Sequence, residues 1–203
     1  MKDSALVKAK NRALRTVLRT AAWACGRLKP GALRSDARRT LEQLILPALC
    51  TDQRIRGVLF IGVARYTSWY STLFGLRRGL TFSTIDPDPA VERWGAKGHH
   101  RVDQFESLAS DNSSREKYDA VVANGLFGYG TNTTEAAANV LNTAHIVLRK
   151  DGLLLVGFSD EGTFDLTLVD PAHFEAETIP GLSSHVHVSK NRNHHSFACF
   201  KKL

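Results

Sequence analysis

At 203 residues, 43% hydrophobic and 23% charged, the chain fits one globular domain with an appendage and is unlike a disordered polymer. Three scattered cysteines, Cys25, Cys50 and Cys199, make no CxxC pair; a disulfide framework and a zinc ribbon are excluded, and a cytoplasmic protein is expected. The net charge of +7 is uneven: residues 1–56 hold 13 Lys/Arg against 4 Asp/Glu, a local +9, and residues 57–203 hold 14 against 16, a local −2.

The first segment reads as helix, with Leu6, Leu14, Val17, Leu18, Ala21 and Cys25 near one stripe and Arg12, Arg15 and Arg19 between them. Those basic residues also interrupt the apolar core that a secretory signal needs, and no run reaches the roughly 20 residues of a membrane span. After Pro30-Gly31 a second helix is expected to open at Ser35 or Asp36. It carries Leu41, Leu44, Ile45 and Leu49 on its apolar face, weakening at Pro47 or ending at Thr51-Asp52. We take residues 1–56 as a basic helical extension and 57–203 as the main domain.

From Gly57 the pattern changes. Apolar runs at 58–61, 80–85, 118–123 and 153–158 have the length of buried parallel strands, and Thr134 to Leu148 keeps helical spacing through Ala137, Val140, Leu141 and Ala144. Strands near 174–179, 185–189 and 196–201 follow, the last two forming a hairpin across Asn191–Asn193. Alternating strands and helices predict an α/β fold: a parallel-rich, Rossmann-like sheet with helices on both faces, the antiparallel hairpin and the N-terminal helical extension.

In such a sheet a ligand sits beyond the carboxyl ends of the strands. Those ends read Gly62-Val63-Ala64-Arg65-Tyr66, then Asp86-Pro87-Asp88, then Asp103-Gln104, then Asn124-Gly125. A small residue after the first strand admits a ligand to the backbone. A carboxylate after the second offers two acceptor oxygens to a ribose diol. A plain structural use stands beside each: Asp86 as a helix cap before Pro87 and Pro89, Asn124-Gly125 as a turn, and Tyr66, Trp69 and Tyr70 as packing. The pairs His99-His100 and His194-His195 lack nearby carboxylates or cysteines, so no metal is expected.

In their order, Val58-Leu59-Phe60-Ile61-Gly62, Asp86, Asp103, Tyr118-Asp119-Ala120-Val121-Val122 and Leu148-Arg149-Lys150-Asp151-Gly152-Leu153 resemble the motifs of class I S-adenosylmethionine-dependent methyltransferases over about residues 57 to 160. The resemblance implies that Gly62, Val63, Ala64 and Tyr66 line the methionine end of the cofactor and that Asp86 and Pro87 meet the ribose. Asp103 and Gln104 would meet adenine, and Asn124 and Gly125 would face the methyl group. The glycine loop is degenerate: Phe60 replaces an acidic residue, and Ala64 and Tyr66 replace glycines. No catalytic residue is identified, and Tyr129, Tyr66 and His99 are candidate bases by location only. The expected activity is methyl transfer from S-adenosylmethionine, yielding S-adenosylhomocysteine, to a small-molecule or glycan acceptor. The alternative is an inactive binding or scaffold domain. An anionic surface or partner is expected at the basic helices, and a homo-oligomer is compatible with the sequence.

Overall fold

A computed structural model describes residues 36–77, 79–127, 131–159, 164–188 and 195–203, together with Ala13, Thr16, Val17 and Thr20. The described part begins with a continuous helical segment made of α1 (Asp36–Thr40), a π-helical turn (Leu41–Ile45) and α2 (Leu46–Thr51). The segment runs through Pro47 and ends at Thr51, with Asp52 as its C-cap, the later of the two places that the sequence offered. Proline in a regular helix collides with the carbonyl four residues earlier. The wider π turn falls just before it, so Pro47 takes a first-turn position of α2, where its missing N–H costs nothing.

The sheet comprises β1 (Gly57–Ile61), β2 (Thr81–Asp86), β3 (His100–Val102), β4 (Tyr118–Phe127), β5 (Leu148–Ser159), β6 (Phe174–Ala176), β7 (Val186–Val188) and β8 (His195–Lys202); α3 (Tyr70–Gly75) and α4 (Thr134–Val147) complete the framework. The strand order is β3-β2-β1-β4-β5-β8-β6, with β7 also on β8. The first five strands are parallel, and β8 runs antiparallel to β5, β6 and β7. The expected fold class and the β7–β8 pairing are thus present; the turn between them lies outside the described residues. Short 3-10 turns, Pro89–Trp94 and Phe105–Ser110, occupy the two connections that flank β3.

Period-two alternation divides the core. Val58, Phe60, Val122, Leu155 and Phe197 face the α1–α2 segment and α3, whereas Leu59, Ile61, Val121, Val156 and Ala198 face α4. Helix α4 begins where the Thr133 hydroxyl oxygen accepts the Ala136 N–H at 3.1 Å, satisfying a first-turn donor. Leu41, Ile45, Leu46 and Leu49 are fully buried with Ile55 in the first layer, so the end of the basic extension completes the core. Of the more N-terminal stripe, Val17 is 57% exposed. Leu14, Leu18 and Ala21 lie outside the described residues. Burial raises the Cys50 thiol to about 11 and the Cys199 thiol to about 12, keeping both protonated and unreactive at neutral pH.

Candidate functional site

Strand order reverses between β1 and β4, since β1 leads outward to β2 while β4 lies on its other side. The carboxyl ends of these strands therefore frame a crevice. Gly62 leaves β1 with φ +80°, and nothing would lie within 4 Å of a side chain there. Its N–H donates to the Ile85 carbonyl at 2.9 Å, drawing the loop against the end of β2. The next amide, Val63 N–H, donates to Asp86 Oδ2 at 2.8 Å. The other carboxylate oxygen, Oδ1, accepts from Asp88 N–H at 2.9 Å. Asp86 is thus fixed by one backbone donor on each oxygen and keeps a further lone pair on each. It does not cap the following turn. Asp88 does, accepting Ala90 N–H at 2.8 Å with Pro89 first in the turn.

The degenerate loop has a conformational explanation. Ala64 is extended, with φ −148° and ψ 165°, a conformation open to any residue. Its N–H donates to Thr67 Oγ1 at 3.0 Å while that hydroxyl donates to the Ala64 carbonyl at 2.9 Å. Of Gly62, Ala64 and Tyr66, only Gly62 has positive φ. Phe60 points into the core, edge-on to Tyr70 with ring centroids 5.3 Å apart. Tyr66 is turned to the helical segment, where the Arg38 guanidinium lies 3.7 Å above its ring in cation–π contact.

Asp103 adjoins Asp86 through its N–H, which donates to the Asp86 carbonyl at 3.1 Å. Its Oδ2 takes Arg101 at 2.8 Å and its Oδ1 accepts Gln104 N–H at 2.8 Å. Ser107 and Arg101 hold the carboxyl below the usual range. Arg101 also reaches Asp111 at 2.7 Å, a bridging role that sequence alone did not disclose. Asn124 and Gly125 stand at the end of β4, where Gly125 has φ +75° and the pairing with β5 shifts register before Phe127. They lie within an irregular strand, not a plain turn. His99 precedes β3 at its amino end, away from these residues, so its location gives it no part as a base. Tyr129 lies outside the described residues, as do Gly128 and Gly130.

Behind the loop sits a carboxyl group that the sequence reading passed over. Glu42 is fully buried in the π turn, and Tyr70 Oη donates to its Oε1 at 2.8 Å. Among the described residues, Glu42 Oε2 and Trp69 Nε1 have no hydrogen-bond partner. Burial raises the Glu42 carboxyl to about 7, against the lowering effects of the Tyr70 hydrogen bond and Arg38. The signal was present: Glu42 falls on the apolar face between Leu41 and Ile45, where an ionisable residue is out of place.

No family model matches the chain, and no curated protein matches it. Solved structures do match in fold. The N-methyltransferase NodS from Bradyrhizobium japonicum is 14% identical, with a TM-score of 0.61 over 82% of this chain and 96% of that one. Its complex with S-adenosyl-L-homocysteine is also 14% identical and gives 0.57 over 84% and 89%. A TehB-like SAM-dependent methyltransferase from Corynebacterium glutamicum is 17% identical and gives 0.56 over 97% and 100%. The chain has the fold of class I methyltransferases.

Proposed function

We propose that the chain is an S-adenosylmethionine-dependent methyltransferase, on the premise that its methyltransferase fold carries a nucleotide site at the ends of β1 and β2. The observation that carries this reading is the Asp86 carboxylate, held by Val63 N–H at 2.8 Å beside the open, positive-φ Gly62. Gly62, Val63 and Ala64 would hold the amino-acid end of the cofactor, Asp86 and Pro87 its ribose, and Asp103 and Gln104 its adenine. The bound cofactor supplies a methyl group already activated on a sulfonium, which leaves alignment and exclusion of water to the protein. The lone pairs remaining on Asp86 fit a diol, and Asp103, kept ionised, fits an exocyclic amine. Tyr66, committed to Arg38, fits less directly.

Calorimetric titration with S-adenosylhomocysteine tests the reading. Micromolar or tighter binding is expected, about −8 kcal/mol; no heat and no thermal shift at millimolar ligand would reject it. That negative result would favour a binding or scaffold domain without transfer, the alternative raised by Phe60, Ala64 and Tyr66. The core position of Phe60 and the extended backbone of Ala64, which any residue adopts, weigh against it.

The basic extension is proposed to dock an anionic partner and not to bind the cofactor, because its +9 charge precedes every cofactor candidate. Reversing Arg12, Arg15 and Arg19 to Glu should leave S-adenosylhomocysteine affinity within about twofold, as for surface changes. Binding to phosphatidylcholine vesicles containing phosphatidylserine should fall. A large loss of cofactor affinity in the folded variant, or no response to the vesicles, would reject the docking role. Among the described residues no helix is long and apolar enough to cross a membrane.

A further inference from the structure

Asn124 on β4 and His195 on β8 meet although β5 runs between their strands. The register explains how. Asn124 is opposite Gly157, while Gly157 is opposite Phe197 and Ser159 is opposite His195. A Cβ on Gly157 would lie 2.2 Å from Asn124 Oδ1 and 3.0 Å from His195 Nε2. The missing side chain is therefore the gap through which those two atoms approach to 3.2 Å. Any other residue at 157 would drive them apart.

The pair is built at the edge of the candidate site. His195 is only 9% exposed, Asn124 is half-buried, and the chain bends at once at Gly125. Asn124 Nδ2 has no hydrogen-bond partner among the described residues. A carboxamide carries its oxygen and nitrogen on opposite sides of Cγ. Fixing Oδ1 on the β8 side therefore turns the two N–H donors away from His195. A neutral imidazole holds Oδ1 in this way when its proton is on Nε2.

We propose that His195 is a positioning residue that locks the Asn124 carboxamide with its N–H donors toward the acceptor, so that the acceptor is bound through an oxygen and not through an N–H group. The proposal rests on the reading of Asn124 as facing the transferred methyl group. An oxygen lone pair, neutral or anionic, complements the two donors. An acceptor N–H would meet a donor of the same polarity and leave both unsatisfied.

Two probes test this without knowledge of the acceptor: S-adenosylhomocysteine, and the analogue carrying an amine where the transferable methyl sits. In the unmodified protein the amine meets N–H donors, so the analogue should bind no better than S-adenosylhomocysteine. His195→Phe releases the carboxamide to rotate and present Oδ1, and the affinity ratio should move about tenfold toward the amine, as for one hydrogen bond to a charged group. His195→Gln, which still offers N–H donors, should keep the original ratio. Asn124→Asp should reproduce the shift without a change in β8, which covers the case in which His195→Phe fails to fold. Isotope-labelled histidine in the unmodified protein should show the neutral His195 ring protonated on Nε2. An unchanged ratio in folded His195→Phe, or no shift in Asn124→Asp, would overturn the proposal, as would a ring protonated on Nδ1. Failure of S-adenosylhomocysteine to bind the unmodified protein would instead reject the cofactor reading on which it rests.

Discussion

Asp86→Ala is expected to lower S-adenosylhomocysteine affinity by about 1.5–3 kcal/mol, the range for hydrogen bonds to a charged group, or roughly ten- to a hundredfold. The carboxylate has two tasks in the proposed complex. It presents acceptors to the ribose, and it ties Val63 N–H at 2.8 Å and Asp88 N–H at 2.9 Å into one corner. Loss of the side chain releases both amides at a half-buried position, so a modest fall in stability should accompany the loss of binding. Asp86→Asn separates the two tasks: one amide oxygen still accepts, the net charge is gone, and the loss should be intermediate. Calorimetry on variants with unchanged circular dichroism checks this order. Full affinity in folded Asp86→Ala would leave Asp86 as a loop brace alone.

Glu42→Gln is expected to stabilise the protein above neutral pH and to remove much of its pH dependence between about 4.5 and 7. The native carboxyl keeps its proton up to about 7, while the unfolded chain loses it near 4.5. Between those values the folded state binds more protons than the unfolded one, so stability falls as pH rises and levels off once both forms are ionised. A shift of that size is worth on the order of 3 kcal/mol. Glutamine fills nearly the same volume, carries no charge at any pH and can still accept from Tyr70. Urea denaturation of the two proteins across this range should show curves that meet near pH 4.5 and diverge upward. Parallel curves would mean that Glu42 is ionised without cost in the folded protein.

The two predictions also mark what could be read from the residues alone. The apolar run 58–61 and the spaced Ala137, Val140, Leu141 and Ala144 announced β1 and α4, because periodicity there coincides with burial. Asp86 was visible because a strand end followed by proline leaves a polar side chain few other places to go. Which of Pro47 and Thr51 ends the helix was not decidable, since passage through Pro47 depends on a π turn whose hydrogen bonds have no residue signature. Ala64 looked like damage to a glycine loop only while its backbone conformation was unknown. The meeting of Asn124 with His195 depends on a register across three strands, which no local pattern encodes. Gly157 inside an apolar strand was its one trace, the usual mark of a close approach. Glu42 was open to notice, because a carboxylate on an apolar stripe must be either paired or protonated.

The position of β8 bears on how the protein is made. It follows β5, β6 and β7 in sequence, yet it lies inside the sheet, with β5 on one side and both β6 and β7 on the other. During synthesis β5 therefore waits with its outer row of amides and carbonyls exposed, and β6 and β7 have no strand to join. An open apolar edge of that kind invites pairing with another nascent chain. The arrival of residues 195–202 closes the edge, seats two short strands and brings Lys202 Nζ to within 2.8 Å of the Leu148 carbonyl, where the side chain is buried. Ribosome-bound chains halted before residue 195 should thus aggregate more readily than chains in which β8 has been translated.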